Sequence, residues 1–539
     1  MKKKLLIVSI LLLIIASVII FAREGGSSVT VAGEDKYNSI KSQTTAVELD
    51  FVLSYNGEPL PYDVSSRTFY LPVDMEDPDW EVGSFAGLFE NEKKAALIFL
   101  EDYTVTNKQA SIAEGREFAF LAVADSGYGE YKLVFTGLPM ITFSGTEYVA
   151  EDGSQIFLLR AYDVKHGSGW VTTTYTQSRL RGHVSMNFEK KSLRLYLKDV
   201  REDGSIVQDK KNLFGMRDDD DWILNSLYAD NTRIRDQLCV DLWNEVGAKS
   251  NPYGHNFGTQ SMLVEVMIAD GYQGIYALMV PIDAKQIGSD SLSEQMAEGN
   301  DVLEHIYKKK HTVPWNASSF IGPLEDVTMA DYRGGFSLKG DVLLQNEEEW
   351  QALHQMASLI EADDETFESE ITDVVEQRNV IENWLFYQAI GGFDNLNKNY
   401  YYITKNRDGK EFGYFIPWDM NISFGVVYAE NEFYVEEDSS VLHQMVPWQP
   451  AQRMVELNVE GSAQLAVSTW ERWRIDTFSD EALQERIQAL EHQIKDSGAF
   501  ARECNRWPAG NQNEDFTFIY DFARGRMQAV DMYMNSLID

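Results

Sequence analysis

Asp394 and Asn399, in Asp394-Asn-Leu-Asn-Lys-Asn399, are separated as in catalytic loops that transfer phosphoryl groups, and a second acidic block follows at Pro417-Trp418-Asp419-Met-Asn421. One carboxylate of such a set can accept the proton of a hydroxyl, while an amide and the other carboxylate hold the cation that neutralises triphosphate charge. Asp and Asn are also ordinary turn residues, so the spacing alone does not decide.

The elements around the two blocks decide more. An amphipathic helix is expected over 380–390, closed by Gly391-Gly392, and it leads into the first block. Residues 400–403 read as a strand, 405–410 as its turn, and 412–416 as a second strand ending at the second block. This order can fold both loops onto one edge of a small sheet. A chance pair of turns has no need of it.

The 539 residues, 44% of them hydrophobic, are enough for two or more folded domains. A formal charge of −38 makes nucleic acid a poor partner, because phosphate backbones are bound by concentrations of Lys and Arg. Cys239 and Cys504 lack metal-ligand spacing. Lys2-Lys3-Lys4 followed by the apolar run 5–22 has the arrangement of an export signal or signal anchor over 1–23. The expected location is therefore extracytoplasmic, secreted or anchored to the membrane through this segment.

Residues 24–45 are polar and small and read as a linker. From 46 to 148, short alternating runs such as Ala95-Ala-Leu-Ile-Phe-Leu100 and Glu130-Tyr-Lys-Leu-Val-Phe135 predict a small all-β, sandwich-like domain without a catalytic constellation. Mixed α and β texture over 149–539 predicts a second domain of two lobes joined near Pro281. Asp230-Asn-Thr-Arg-Ile-Arg235 opens a helix that Asn231 or Thr232 can cap and that runs to Gly247, followed by a hairpin over 261–280. Amphipathic helices are expected at 480–495 and 516–537. The Asp218-Asp-Asp-Asp221 run reads as a solvated turn rather than a metal site.

In the first lobe, Arg181-Gly182-His-Val-Ser185 and Lys190-Lys191 open an alternating strand, which would let backbone N–H groups and one ammonium approach phosphates. Alternation cannot choose between the two lysines without a register. There is no Walker sequence and no Gly-x-Gly-x-x-Gly.

Taken in order, Arg181-Gly-His-Val-Ser185, Lys190-Lys191-Ser-Leu-Arg-Leu, Asp230 with Arg235, Gly274-Ile-Tyr-Ala-Leu, Asp394 with Lys398-Asn399-Tyr-Tyr-Tyr, and Pro417-Trp418-Asp419 resemble the CotH family of spore-coat kinases over roughly 150–535. The resemblance implies an α+β, two-lobed atypical protein-kinase-like domain. It implies use of ATP and Mg²⁺ or Mn²⁺ to phosphorylate a protein substrate on the cell surface or spore coat. Asp394 then corresponds to the catalytic base, and Asn399 and Asp419 to the cation ligands. Lys191 or Lys190 corresponds to the phosphate-binding lysine beneath Arg181, Gly182 and Ser185, and Arg235 lies where a salt bridge toward the site is expected.

Three positions depart from that pattern: His183 replaces an expected Asn, Asn421 an acidic residue, and Val280 a Glu. Asn421 removes a negative charge from the cation site if it coordinates, so a pseudokinase serving as a membrane-tethered binding protein is the alternative. A glycoside hydrolase built on Asp394 and Asp419 would leave Lys191 and the Asn399 spacing without a role.

Overall fold

The aromatic β runs of the N-terminal part bury their rings between two sheets. The computed structural model describes residues 29–537, apart from 48–49, 81–83, 90–93, 103–106, 125–126, 151–152, 183, 323–331, 341–346, 430–431, 436–438, 511–512 and 514. Residues 1–23, where an export signal or anchor is expected, and His183 lie outside the described residues. Among those described, no helix is long and apolar enough to cross a membrane.

A six-stranded sheet has the order Val29–Val31, Ala96–Phe99, Phe118–Ala124, Gly127–Thr136, Thr68–Pro72, Tyr62–Asp63, and a three-stranded sheet is centred on Phe51–Tyr55. Phe51 meets Phe69 edge-on at 5.7 Å and Tyr131 at 4.8 Å, so the two sheets share one core. The β-rich region expected from the sequence is present, with two differences. Its sheet includes parallel pairs, Val29–Val31 with Leu97–Phe99 and Thr68–Pro72 with Lys132–Thr136. It also does not end at 148, because strand Met140–Val149 belongs to the next sheet and the shared core continues into Tyr162, Trp170, Met267 and Tyr272.

The described part of the expected linker, from Val29 onward, is structured. Residues Val29–Val31 form a strand and Gly33–Gln43 a helix. Tyr37 is buried and donates to Glu130 at 3.0 Å, and Lys41 reaches both oxygens of the same carboxylate. Two specific contacts, invisible in a composition of small polar residues, hold this helix down.

The chain forms two compact units. The first comprises the described residues up to Ser226 with Met262–Leu278 and Glu491–Gly510; the second comprises Leu227–Ser261, Met279–Leu490 and the described part of Asn511–Asp539. In the first, a sheet runs Val171–Arg181, Gln155–Tyr162, Met140–Val149, Ser261–Ile268, Gly271–Met279, Asp221–Asn225, Ser192–Val200, Ile206–Gln208. A further pairing of Val171–Arg181 with Ser192–Val200 closes it on itself. The expected hairpin is the pair Ser261–Ile268 and Gly271–Met279. Asp219 is fully buried and not in a solvated turn: it pairs with Arg217 and accepts the N–H groups of Asp220 and Asp221.

The second unit contains a five-stranded sheet, Tyr332–Arg333, Phe336–Leu338, Ile306–Lys309, Tyr400–Arg407, Lys410–Pro417. The last two strands are longer than expected because Asp408 and Gly409, with φ of 55° and 82°, make the whole turn. Helix Gln377–Ile390 packs on this sheet, and nearly every residue of it is buried. It therefore lacks the polar stripe of an amphipathic helix, and its asparagines point into protein. Asn379 exchanges two hydrogen bonds with the Phe415 backbone, at 3.1 and 2.7 Å, and Asn383 donates to the same carbonyl at 3.1 Å. The tail helices Asp480–Asp496 and Thr517–Ser536 fall where expected, with Ala499–Arg506 as an additional one.

His305 cross-links the sheet to the segment beside it. Its ring nitrogens lie 2.7 Å from Glu349 and 2.7 Å from Glu411. Burial opposes the imidazolium, but hydrogen bonds to the two carboxylates outweigh it and lift the pKa to about 9. A folded pKa above the unfolded value near 6.5 contributes stability that is complete below about pH 6.5 and lost as pH rises through about 9, on the order of 3 kcal/mol. Wild type should therefore melt well above His305→Gln at pH 6. The gap should close by about pH 10 in thermal-denaturation scans.

Candidate functional site

In the second unit, the Gln377–Ile390 helix and the Lys410–Pro417 strand deliver the two acidic blocks. Gly391, with φ of 64°, ends the helix in the left-handed conformation, and a short 3-10 turn, Phe393–Asn395, follows. Asp394 sits in that turn. Its Oδ1 pairs with Lys398 at 2.9 Å and its Oδ2 accepts from Asn399 Nδ2 at 2.6 Å. Burial raises the Asp394 carboxyl above the ordinary carboxylate range, Lys398 draws it back, and the neighbouring Asp419 charge adds to the rise. Asp394, Asn399 and Asp419 are thus brought together.

The loops that carry them are tied at the backbone. Asn399 N–H donates to the Lys309 carbonyl and Trp418 N–H to the Asn399 carbonyl, at 3.0 and 3.1 Å. Asn395, fully buried, donates to the carbonyls of both Asn399 and Trp418, at 2.8 and 2.9 Å. Asn399 and Asp419 both have left-handed backbones, with φ of 60° and 56°. That conformation costs about 1 kcal/mol or more for a residue with a Cβ and persists where the surroundings impose it.

Asn399 spends its Nδ2 on Asp394, so its amide oxygen is the atom left to face a cation. Asp419 is half-buried, and none of the described residues donates a hydrogen bond to its carboxylate. One carboxylate and one amide oxygen suit a hard divalent ion that keeps waters and phosphate oxygens as its other ligands. Among the described residues there is no group of three or more His, Cys, Asp and Glu side chains that would hold a metal without such help.

Arg235 is placed differently from expectation. It is buried, pairs with Asp230 at 2.6 Å, and donates to Asn231, Thr232 and, at 3.5 Å, the Phe424 carbonyl. Its guanidinium is held chiefly by the Asp230–Thr232 segment that precedes its own helix, with one longer contact to the loop after Asp419. Asp230, rather than Asn231 or Thr232, accepts the Arg235 N–H that opens helix Arg235–Val246. Val280 donates its N–H to the Gln260 carbonyl and accepts Thr259 Oγ1 on its own carbonyl.

In the first unit, the structure separates the two lysines. Lys190 is fully buried, 2.8 Å from both oxygens of Glu503, and donates to the Ile275 carbonyl. Lys191 is half-buried and bonds the carbonyls of Met186 and Phe188 in its own loop. Arg181 ends its strand opposite Ser192. Gly182 has φ of 117°, a conformation strained for any residue with a Cβ, and a Cβ there would stand 1.9 Å from Ser185 Oγ. Gly274 has a parallel reason: a Cβ would stand 1.8 Å from Glu503 Oε2. Tyr276, two residues on, lies under the Lys190 ammonium at 4.5 Å. The Gly-Ile-Tyr run is thus shaped around a buried ion pair. Sequence reasoning missed Glu503 because it is a lone acid on a short helix, Ala499–Arg506, far along the chain.

With the geometry in place, comparison with known proteins gives the class. Residues 178–530 match the model of the CotH kinase protein family, and the chain belongs to that family. It is a kinase-like protein. No curated protein matches it.

Removing Lys190 leaves the Glu503 charge buried and unpaired, whereas Lys191 loses only loop contacts. In urea denaturation Lys190→Met should cost about 3–5 kcal/mol, partly recovered in Lys190→Met/Glu503→Leu, while Lys191→Ala should stay within about 0.5 kcal/mol.

Proposed function

We propose that the protein is an active, extracytoplasmic, ATP-dependent protein kinase that phosphorylates Ser or Thr hydroxyls of a surface or coat protein. Family membership supports the class. The observation that carries the reaction is the Asp394–Asn399–Asp419 cluster, in which a base carboxylate is oriented by an amide and faces a second carboxylate.

In this reading Asp394 accepts the acceptor hydroxyl proton as the oxygen forms its bond to the γ-phosphorus, and the β–γ bridging oxygen leaves with the bonding electrons on ADP. Its raised pKa makes it a stronger base than an exposed Asp. Lys398, ion-paired to Asp394 and partly exposed, can turn to the transferring phosphoryl group. A Mg²⁺ or Mn²⁺ ion held by Asn399 and Asp419 would neutralise triphosphate charge. In the first unit, the Lys190–Glu503 pair anchors the start of the strand that follows the Gly182–Ser185 segment, and Lys191 beside it holds the Met186 and Phe188 carbonyls. The apolar run at the N-terminus supports export, with ATP met outside the cytoplasm.

Purified protein incubated with γ-labelled ATP and Mg²⁺ or Mn²⁺ should label itself or a basic Ser-rich acceptor. Asp394→Ala and Asp419→Ala should each lower the rate by about 100-fold or more. Label undiminished in both variants would exclude the assignment. Absence of label in wild type, together with nucleotide-dependent thermal stabilisation, would instead support the pseudokinase that Asn421 brings into view.

A further inference from the structure

Asp419 needs a device that holds its backbone, because a left-handed aspartate does not keep that conformation unaided. On its N-terminal side the device is visible: Asn395 holds the Trp418 carbonyl. On its C-terminal side the Met420 N–H donates to Asp236 Oδ1 at 3.0 Å. Asp236 lies in the first turn of helix Arg235–Val246 and is 1% exposed. The same end of that helix reaches the loop twice more: Arg235 donates to the Phe424 carbonyl, and Cys239 Sγ lies 3.4 Å from Ser423 Oγ. Both peptide groups flanking Asp419 are therefore gripped by buried side chains, one amide and one carboxylate.

We propose that Asp236 is a positioning residue, which fixes the Asp419 carboxylate for the divalent cation by holding the peptide that follows it. The role rests on the cation reading of Asp419 given above. A buried carboxylate is costly to hold in place of a neutral acceptor. At this place its charge also adds to the negative potential around the cation ligands. Asp236 touches neither nucleotide nor acceptor in this role and acts through the peptide that follows Asp419.

The test uses the full chain, with Mn²⁺ and a non-hydrolysable ATP analogue as probes. Three variants are compared with wild type: Asp236→Ala, Asp236→Asn, which keeps the accepting oxygen, and Asp419→Ala. Hydrogen exchange of the Met420 amide should be slow in wild type and Asp236→Asn and fast in Asp236→Ala, with melting temperatures recorded alongside. Mn²⁺ affinity, read by electron paramagnetic resonance, should fall about 10- to 100-fold in Asp236→Ala. It should fall only a few-fold in Asp236→Asn, and be lost in Asp419→Ala. Unchanged Mn²⁺ affinity in Asp236→Ala, with Asp419→Ala defective, would overturn the positioning role while leaving the cation site intact. Mn²⁺ uptake that is the same in wild type and Asp419→Ala would bring down the cation reading and the inference resting on it. In that event the exchange rates still report whether Asp236 holds the loop.

Discussion

Three hydrogen bonds between two buried asparagines and one backbone position set the geometry of the second unit. Asn379 and Asn383, a turn apart on the Gln377–Ile390 helix, both close on Phe415 in the strand that leads to Asp419. The helix leads to Asp394, so locking helix to strand fixes where the two carboxylates emerge. Each buried amide would be costly without its partner. Here the Phe415 backbone satisfies the Asn379 amide and the Asn383 Nδ2, and register is specified along with stability. The aromatic packing below, with Phe415 meeting Trp448 at 4.8 Å and Tyr402 at 5.1 Å, then has one way to fit.

The first unit solves a comparable problem with charge. Lys190 and Glu503 are both fully withdrawn from water, which is favourable only because the ammonium meets both carboxylate oxygens and a carbonyl. The neighbouring helix residue Arg502 does the same for Glu265, whose oxygens also receive Thr136 and Tyr272. One short helix thus carries the counter-charges for two buried groups of the closed sheet. Such an arrangement tolerates little substitution on that helix, although the helix itself has no candidate chemistry.

Much of this was legible before any coordinates. The Asp394 and Asp419 blocks, the strands between them, the hairpin at 261–280 and the tail helices follow from turn residues and periodicity. The family followed from the ordered motifs. What escaped depends on partners distant in sequence. Nothing local in Gly33–Gln43 announces that Glu130 will hold it, and nothing in Glu503 announces Lys190. The inward direction of Arg235 depends on Asp230 and the Phe424 carbonyl, which the helix pattern alone does not contain. The choice between Lys190 and Lys191 needed the strand register, and the polar residues of the Gln377–Ile390 helix suggested a solvent face because their Phe415 partner lies in another element.

The ion pair between Lys190 and Glu503 spans 313 positions of the chain. A polypeptide made from its N-terminus can assemble most of the closed sheet while the lysine still has no counter-ion. Only when Glu503 has emerged can the lysine be buried at low cost. Completion of the sheet that carries the glycine turn is therefore coupled to the arrival of a helix some three hundred residues downstream, so a product terminated before Glu503 would retain an open, hydrated lysine in place of a finished loop root.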